Sequence, residues 1–474
     1  MEFEKEGITK KRLTRRQMLL ALGAGAASIA AAACAGAPAA APTAAPKAAE
    51  PTKPAAGAAP TAPAAAASTA APAAAPAVLK GTTLAFLGGT YFIPEAQKLF
   101  VDQMNQWGKD NGVTVAADFL SWPDLQAKIA ASIQAGGGTD IFDFWPGWSY
   151  LYADNLVDMT DFVNTVETRD KGFYDWVTKS TKAKGKWWSV PIGATNGALN
   201  YRVSYLKQVG ADKFPDTWDE LFAVGKKLKA IGKPIGQALG HSTGDPPGFA
   251  YPYMWSFGAM EVAEDGKTIA FNKPEFVDAM KRFIQGWKDG FDTTGTAWDD
   301  SANNRAFLSD QISITYNGSS VYETAKKEQP KIAEDMDHAD MCAGPAGRFY
   351  QLGSRSFGVL KGSKNVAGAK DFIQWWMDPA RFDEWIRLQG GYMLPPSKKW
   401  DGDPLLIKDP KYAAFARQAK FGRTIGWAGE QNEKAALSFS KYIVVDTFAK
   451  AITDGDAAAA IKWGADQLQQ IYGG

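Results

Sequence analysis

TTLAFLGGTYFIPEAQKLFVDQMNQWGKDNGVTVAADFL, residues 82–120, decides the fold class of this chain. Val78–Leu87 reads as a strand that Gly88-Gly89 closes. Pro94 follows, where a helix can begin without needing its missing N–H, and Leu99, Phe100, Met104 and Trp107 recur behind it at helical spacing. Val113–Phe119 returns to strand character. The pattern then repeats. Pro123 and Asp124 open a helix with Leu125, Ile129 and Ile133 on one face, Gly136-Gly137-Gly138 stops it, and Asp140–Trp145 is a third strand. Strands alternating with helices predict an α/β fold, with a largely parallel sheet covered by helices on both faces.

Later helices announce their ends in the same way. Thr217-Trp218-Asp219-Glu220 is a capping box, followed by Leu221, Val224 and Leu228 on one face and by Lys226, Lys227 and Lys229 near the negative end of the dipole. Pro274 starts a helix with Phe276, Met280, Phe283 and Trp287 inward, Asp378-Pro379 starts another, and Asp456–Tyr472 is an amphipathic terminal helix. The chain has 474 residues, enough for two domains. Its 52 Lys+Arg and 51 Asp+Glu leave a net charge of +1, which gives nucleic acid no electrostatic footprint. With two histidines, His241 and His338, a histidine-rich metal site is excluded. The two cysteines, Cys34 and Cys342, sit in different contexts, so no disulfide is expected, and Cys342 reads as a small buried filler.

The first 34 residues read as an export signal. Lys10, Lys11, Arg12, Arg15 and Arg16 precede an apolar run, Met18–Ala33, too short and weakly apolar to span a membrane. Thr14–Leu20 resembles a twin-arginine signal with Met18 where Phe is more usual; an ordinary secretory signal with two adjacent arginines is the other reading. Ala31-Ala32-Ala33-Cys34 resembles a lipobox, with Ala31 in place of the usual Leu, and predicts lipidation of Cys34. Residues 35–77 contain no Leu, Ile, Val or aromatic residue. Such a segment cannot offset its ordering entropy and reads as a disordered linker, reaching about 130 Å extended or about 35 Å as a flexible coil. The folded body is expected over residues 78–474.

Six pieces of that body, in order, resemble the extracellular solute-binding proteins of the maltose and multiple-sugar type. They are Gln134–Asp143, Trp188–Gly193 with Leu199-Asn200-Tyr201, Phe214–Leu221, Phe307–Ile314 with Asn317-Gly318-Ser319, Gly358–Asn365, and Gly390–Pro395. The resemblance covers about Thr83–Tyr472. It implies a two-lobed periplasmic-binding-protein-like fold of type II, each lobe a mostly parallel sheet flanked by helices, with the ligand cleft between them. It divides the body into one lobe of residues 78–191 plus 312–360 and another of 192–311 plus 361–474. It further implies a monomeric, lipid-anchored capture subunit of an ABC importer on the outer face of the cytoplasmic membrane. That subunit delivers a carbohydrate to membrane permease subunits and uses no cofactor or metal. Ligand would close the lobes by a hinge motion.

A sugar site needs flat aromatic platforms and planar polar groups, and all 17 tryptophans lie in the body. Tyr91, Trp122, Trp145 and Trp148 follow the first three strands, at the edge where open α/β sheets bind ligands. The alternative for each is packing between helix and sheet. The resemblance adds Tyr251, Tyr253 and Trp255 as second-lobe platforms. Trp298 and Trp427 are loop aromatics next to glycines. Asn196, Asn317, Ser354, Arg355 and Glu430 are polar candidates, with Asp143 and Glu430 able to accept hydroxyls or pair with lysines. Trp107, Trp218, Trp287, Trp376 and Trp385 sit at helical spacing and read as core.

Two competing classes find less support. Gly240-His241-Ser242-Thr243-Gly244 matches the hydrolase pattern G-x-S-x-G, but Asp245-Pro246-Pro247-Gly248 follows it as an unpromising helix start, and a loop lining the cleft explains it better. No segment points to a glycosidase pair of carboxylates, and no nucleotide-binding motif is present. Within binding proteins, a polyamine is the alternative ligand, and a surface sensor or adhesin is the alternative role.

Overall fold

A computed structural model describes residues 80–403 and 409–473. The expected export signal, the lipidation site Cys34 and the Ala/Pro/Thr-rich linker lie outside the described residues.

The strands that build the site are β1 (Thr83–Gly89), β2 (Thr114–Leu120), β3 (Ile141–Phe144), β4 (Val190–Thr195), β5 (Ala198–Arg202), β6 (Ile314–Asn317), β7 (Met336–Ala339), β8 (Arg355–Val359) and β9 (Met393–Leu394). They form two sheets, a six-stranded one in the order β9-β4-β8-β3-β1-β2 and a three-stranded one in the order β6-β5-β7. β1 pairs in parallel with β2 from Thr83↔Thr114 to Gly89↔Leu120, and with β3 at Phe86↔Ile141. Helices Pro94–Asn111 and Trp122–Ala135 make the crossovers, as their periodicity predicts.

Within the six-stranded sheet, parallel pairing is confined to those three strands. β8 runs antiparallel to both β3 and β4, and β9 antiparallel to β4. In the smaller sheet β5 is antiparallel to both neighbours. For β8 the reason is connectivity: it enters the large sheet on returning from the second lobe, not through a β-α-β crossover, so nothing fixes it in the direction of β1.

The lobe boundaries also differ from those expected. β6 and β7, within 312–360, pair with β5 in the smaller sheet. Helices Val366–Trp376 and Pro379–Leu388 return to the first lobe and pack on Pro94–Asn111: Trp376 Nε1 donates to Gln103 Oε1 at 2.8 Å and Trp107 Nε1 to Asp371 at 2.9 Å. The terminal helices Ile443–Asp454 and Ala457–Tyr472 belong with the second lobe, where Phe448 meets Tyr253 and Phe276 at 5.6 and 6.1 Å. An apolar strand carries no label saying which of two sheets it joins, so these swaps left no mark in the hydrophobic pattern.

Helix signals were more faithful. Thr217 Oγ1 accepts from the Glu220 N–H and Glu220 reaches back to the Thr217 N–H, completing the capping box of Trp218–Ala230. Trp107, Trp218, Trp287, Trp376 and Trp385 are all buried core, and Cys342 is a buried free thiol. The Pro246-Pro247 pair is the exception. It opens helix Asp245–Ser256 instead of preventing it, because prolines in a first turn forfeit N–H groups that have no partner there.

Candidate functional site: a cleft between the two sheets

β4 leaves the large sheet at Thr195, and three residues later β5 enters the small one. Around that crossing lies a cavity of ≈ 40 Å³. The large-sheet lobe supplies Phe92 after β1, Trp145 after β3 and Tyr392 before β9. The crossing supplies Thr195, Asn196 and Gly197, and the second lobe Gly244, Asp245, Asp300, Tyr316 and Asn317. Of the candidate residues, Trp145, Asn196 and Asn317 lie together around this cavity.

Gly147 makes the local turn possible. It has φ 86°, and a Cβ there would lie 2.5 Å from Gln431 Nε2, so only glycine lets the chain fold back tightly after Trp145. Trp145 then packs 4.8 Å from Trp122, with Trp148 6.3 Å beyond it. Behind this wall lies Arg355, its guanidinium over the rings of Tyr91 (4.6 Å) and Trp122 (4.7 Å) and paired with the carboxylate of Asp143, with Nε 3.3 Å from Oδ1. Both partners are fully buried. Burial pushes the Asp143 carboxyl up, and the guanidinium beside it works in the other direction. Tyr91, Trp122, Trp148 and Arg355 thus form a supporting layer and do not line the cavity. Ser354 is also structural, its Oγ donating to the Gly193 carbonyl at 3.3 Å and accepting from its N–H at 3.2 Å.

The second-lobe wall is acidic. Asp300 accepts from the N–H groups of Gly244 (3.1 Å) and Asp245 (2.8 Å), capping helix Asp245–Ser256 through space. Asp245 Oδ2 accepts from Asn303 Nδ2 at 2.8 Å. Burial, with the charge of Asp300, pushes the Asp245 carboxyl well above its ordinary range, and burial raises Asp300 as well. Two polar atoms at the cavity have no partner: Asn196 Oδ1, whose Nδ2 donates to the Phe415 carbonyl at 3.1 Å, and Trp145 Nε1. Asn317 Nδ2 donates to Asn304 Oδ1.

A model of the bacterial extracellular solute-binding protein family matches residues 100–414. The chain belongs to that family. A protein of Brucella abortus (strain 2308) assigned as a binding protein is 24% identical over 347 residues, covering 72% of this solute-binding protein and 81% of its own length. A probable ABC transporter-binding protein of Deinococcus radiodurans is 25% identical over 57% of the chain and 66% of its own length. Among solved structures, maltose-bound MalE3 of T. maritima superposes with a TM-score of 0.71 at 19% identity, over 82% of this chain and all of that one. A tagatose-bound solute-binding protein of Thermotoga lettingae gives 0.71 at 17% identity, over 83% and 100%. The fold is accordingly the two-lobed α/β type.

The remaining candidate residues of this solute-binding protein lie elsewhere. Tyr253 is core, packed against Trp218 at 4.8 Å and Phe283 at 5.1 Å, with its hydroxyl donating to the Ala279 carbonyl at 2.7 Å. Trp255 and Tyr251 are buried beside each other at 5.4 Å. The helix carrying them begins at the cavity with Asp245, but its aromatics lie further along and do not line it. Trp298 is half-buried against Gly236 and Gly240. Trp427 stacks with Arg423 at 4.5 Å in a separate groove, and Glu430 is exposed.

Phe92, Asp245, Asp300, Tyr316 and Tyr392 were missed. Asp245 had a signal, since it follows the glycine-flanked segment 240–244 that reads as a cleft loop, and Tyr392 follows Gly390-Gly391. Ser242 of the G-x-S-x-G segment and the two histidines have other partners. Ser242 is buried and accepts from the Asp300 N–H at 3.4 Å; His241 pairs with Asp446 at 2.7 Å, and His338 binds the Lys411 carbonyl at 2.8 Å.

Proposed function

We propose that this solute-binding protein is the extracytoplasmic capture subunit of an ABC importer, held to the membrane through a lipid on Cys34 and taking a carbohydrate. The observation that carries this reading is the composition of the cavity. Flat rings from Phe92, Trp145 and Tyr392 sit beside the amides of Asn196 and Asn317 and the carboxylate of Asp245. Ring faces suit the C–H faces of a sugar, and planar amides and carboxylates suit its hydroxyls. The maltose and tagatose carried by two proteins of the same fold, and the transporter named for the Deinococcus relative, support the class.

A cavity of ≈ 40 Å³ holds one or two waters, whereas small-molecule pockets run to about 300 Å³ and more. The ligand therefore enters an open form, and closure buries it. Binding biases the hinge only through its differential affinity for the closed form. A thermal-shift screen against mono- and oligosaccharides tests the reading. A rise in midpoint with one saccharide family, lost in Trp145→Ala, is the expected result, and 100-fold saturation should add about 2.7 kcal/mol. No shift with any small solute would overturn it. Lipidation is tested separately by acyl-chain labelling of cells, expected for the full chain and absent in Cys34→Ala.

A further inference from the structure

The cavity is unusual in charge. Asp245 and Asp300 both belong to its lining, and no lysine or arginine does among the described residues. Neither carboxylate has a salt-bridge partner there. Arg355, the guanidinium of the opposite lobe, is behind Tyr91 and Trp122 and committed to Asp143. Asp300 is offset by the two N–H groups it caps, but Asp245 has one neutral amide on one oxygen. A lone carboxylate in a closing cleft loses hydration with nothing to replace it, which is costly. Such a carboxyl takes up a proton in the empty cleft or keeps its charge against a bound cation, whereas a neutral hydroxyl restores one hydrogen bond and leaves the charge unbalanced.

The neighbouring groups agree. Asn196 is 6% exposed and its Oδ1 is a buried acceptor without a donor. The rings of Tyr316, Tyr392 and Trp145 border the same space, and ring faces attract cations. Burial and the charge of Asp300 push the Asp245 carboxyl up, and a cation bound against it would act in the opposite direction.

We infer that the cleft recognises a small hydroxylated solute bearing a protonated amine, with the ammonium against Asp245 and Asn196 Oδ1. The inference rests on the solute-binding reading and narrows it. Two sources share this chemistry, amino sugars and polyamines, and the fold's company favours the sugar.

Isothermal titration of the purified chain tests it with D-glucosamine and the chitosan disaccharide, the matched neutral D-glucose and N-acetyl-D-glucosamine, and putrescine and spermidine. The expected result is binding of an amino sugar at least about ten-fold tighter than its neutral match, the margin of one charge-assisted contact. Asp245→Asn should remove that preference while leaving the melting of the unliganded protein cooperative. Tight binding of polyamines alone would keep the ammonium contact and overturn the sugar. Neutral sugars binding as well as their amine counterparts would overturn the inference and leave the carbohydrate-capture reading intact, a comparison the wild-type chain makes even if the variant fails to fold. Binding of none of these or of any other solute would sink both.

Discussion

Arg355 and Asp143 are each fully buried, and each is the other's only ionic partner among the described residues. Removing one strands the other charge, so Arg355→Ala should cost about 3–5 kcal/mol, read as a fall in the urea midpoint. Arg355→Met with Asp143→Leu should recover much of that loss, because the pair is apolar-walled by Tyr91 and Trp122. Glu261 is a second buried carboxylate, accepting from Ser438 Oγ at 2.6 Å and from Tyr251 Oη at 3.3 Å, and burial pushes it up to about 7 from 4.5. Its folded value lies above its unfolded one. Its stabilising contribution is therefore full below about pH 4.5 and lost as pH rises to about 7, a change on the order of 3 kcal/mol. Glu261→Gln should flatten that part of the stability profile relative to the wild type. At this scale the sequence was half legible. Trp145 could be picked out because a tryptophan after a strand has few places to go. Asp300 could not, since a carboxylate on a surface and one in a cleft are spelled alike, and Asp245 was marked only indirectly, by the glycine-flanked loop before it.

The capping box of Trp218–Ala230 could be read from four residues because both hydrogen bonds are local. Thr217→Ala should cost about 1 kcal/mol, measured by thermal or urea unfolding. The Pro246-Pro247 helix start was misread for the converse reason: proline was weighed as a breaker, while its position in the first turn was fixed by Asp300, distant in sequence. The crossing between β4 and β5 carries its own constraint. A Cβ on Gly197 would fall 2.4 Å from the Tyr316 ring, which borders the cavity. Gly197→Ala should therefore displace that ring and weaken ligand binding at least as much as it weakens folding, a split that titration and melting together would reveal.

At the scale of the molecule, the cavity is too small for a monosaccharide while the lobes sit as they do. Small-angle scattering of the unliganded chain should give a larger radius of gyration than this arrangement of lobes, and saturating ligand should reduce it. An unchanged radius would count against closure by the solute. That the chain makes two lobes was legible from its length and its ordered family pieces. Which strand serves which lobe was not, because β6 and β8 are both buried throughout yet join different sheets.

The arrangement of β4 also governs how the protein is made. This strand lies between β8 and β9, and all of its sheet partners are encoded some 160–200 residues downstream. At ribosomal rates of about 5–20 residues per second, β4 waits roughly 8–32 s for its first neighbour and roughly 10–40 s for its second. During synthesis it is an apolar edge with open hydrogen-bonding groups, the kind of segment that finds wrong partners. Holding this stretch apart until the chain passes Leu394 is thus a demand the topology places on the cell, whether the polypeptide crosses the membrane before folding or after it.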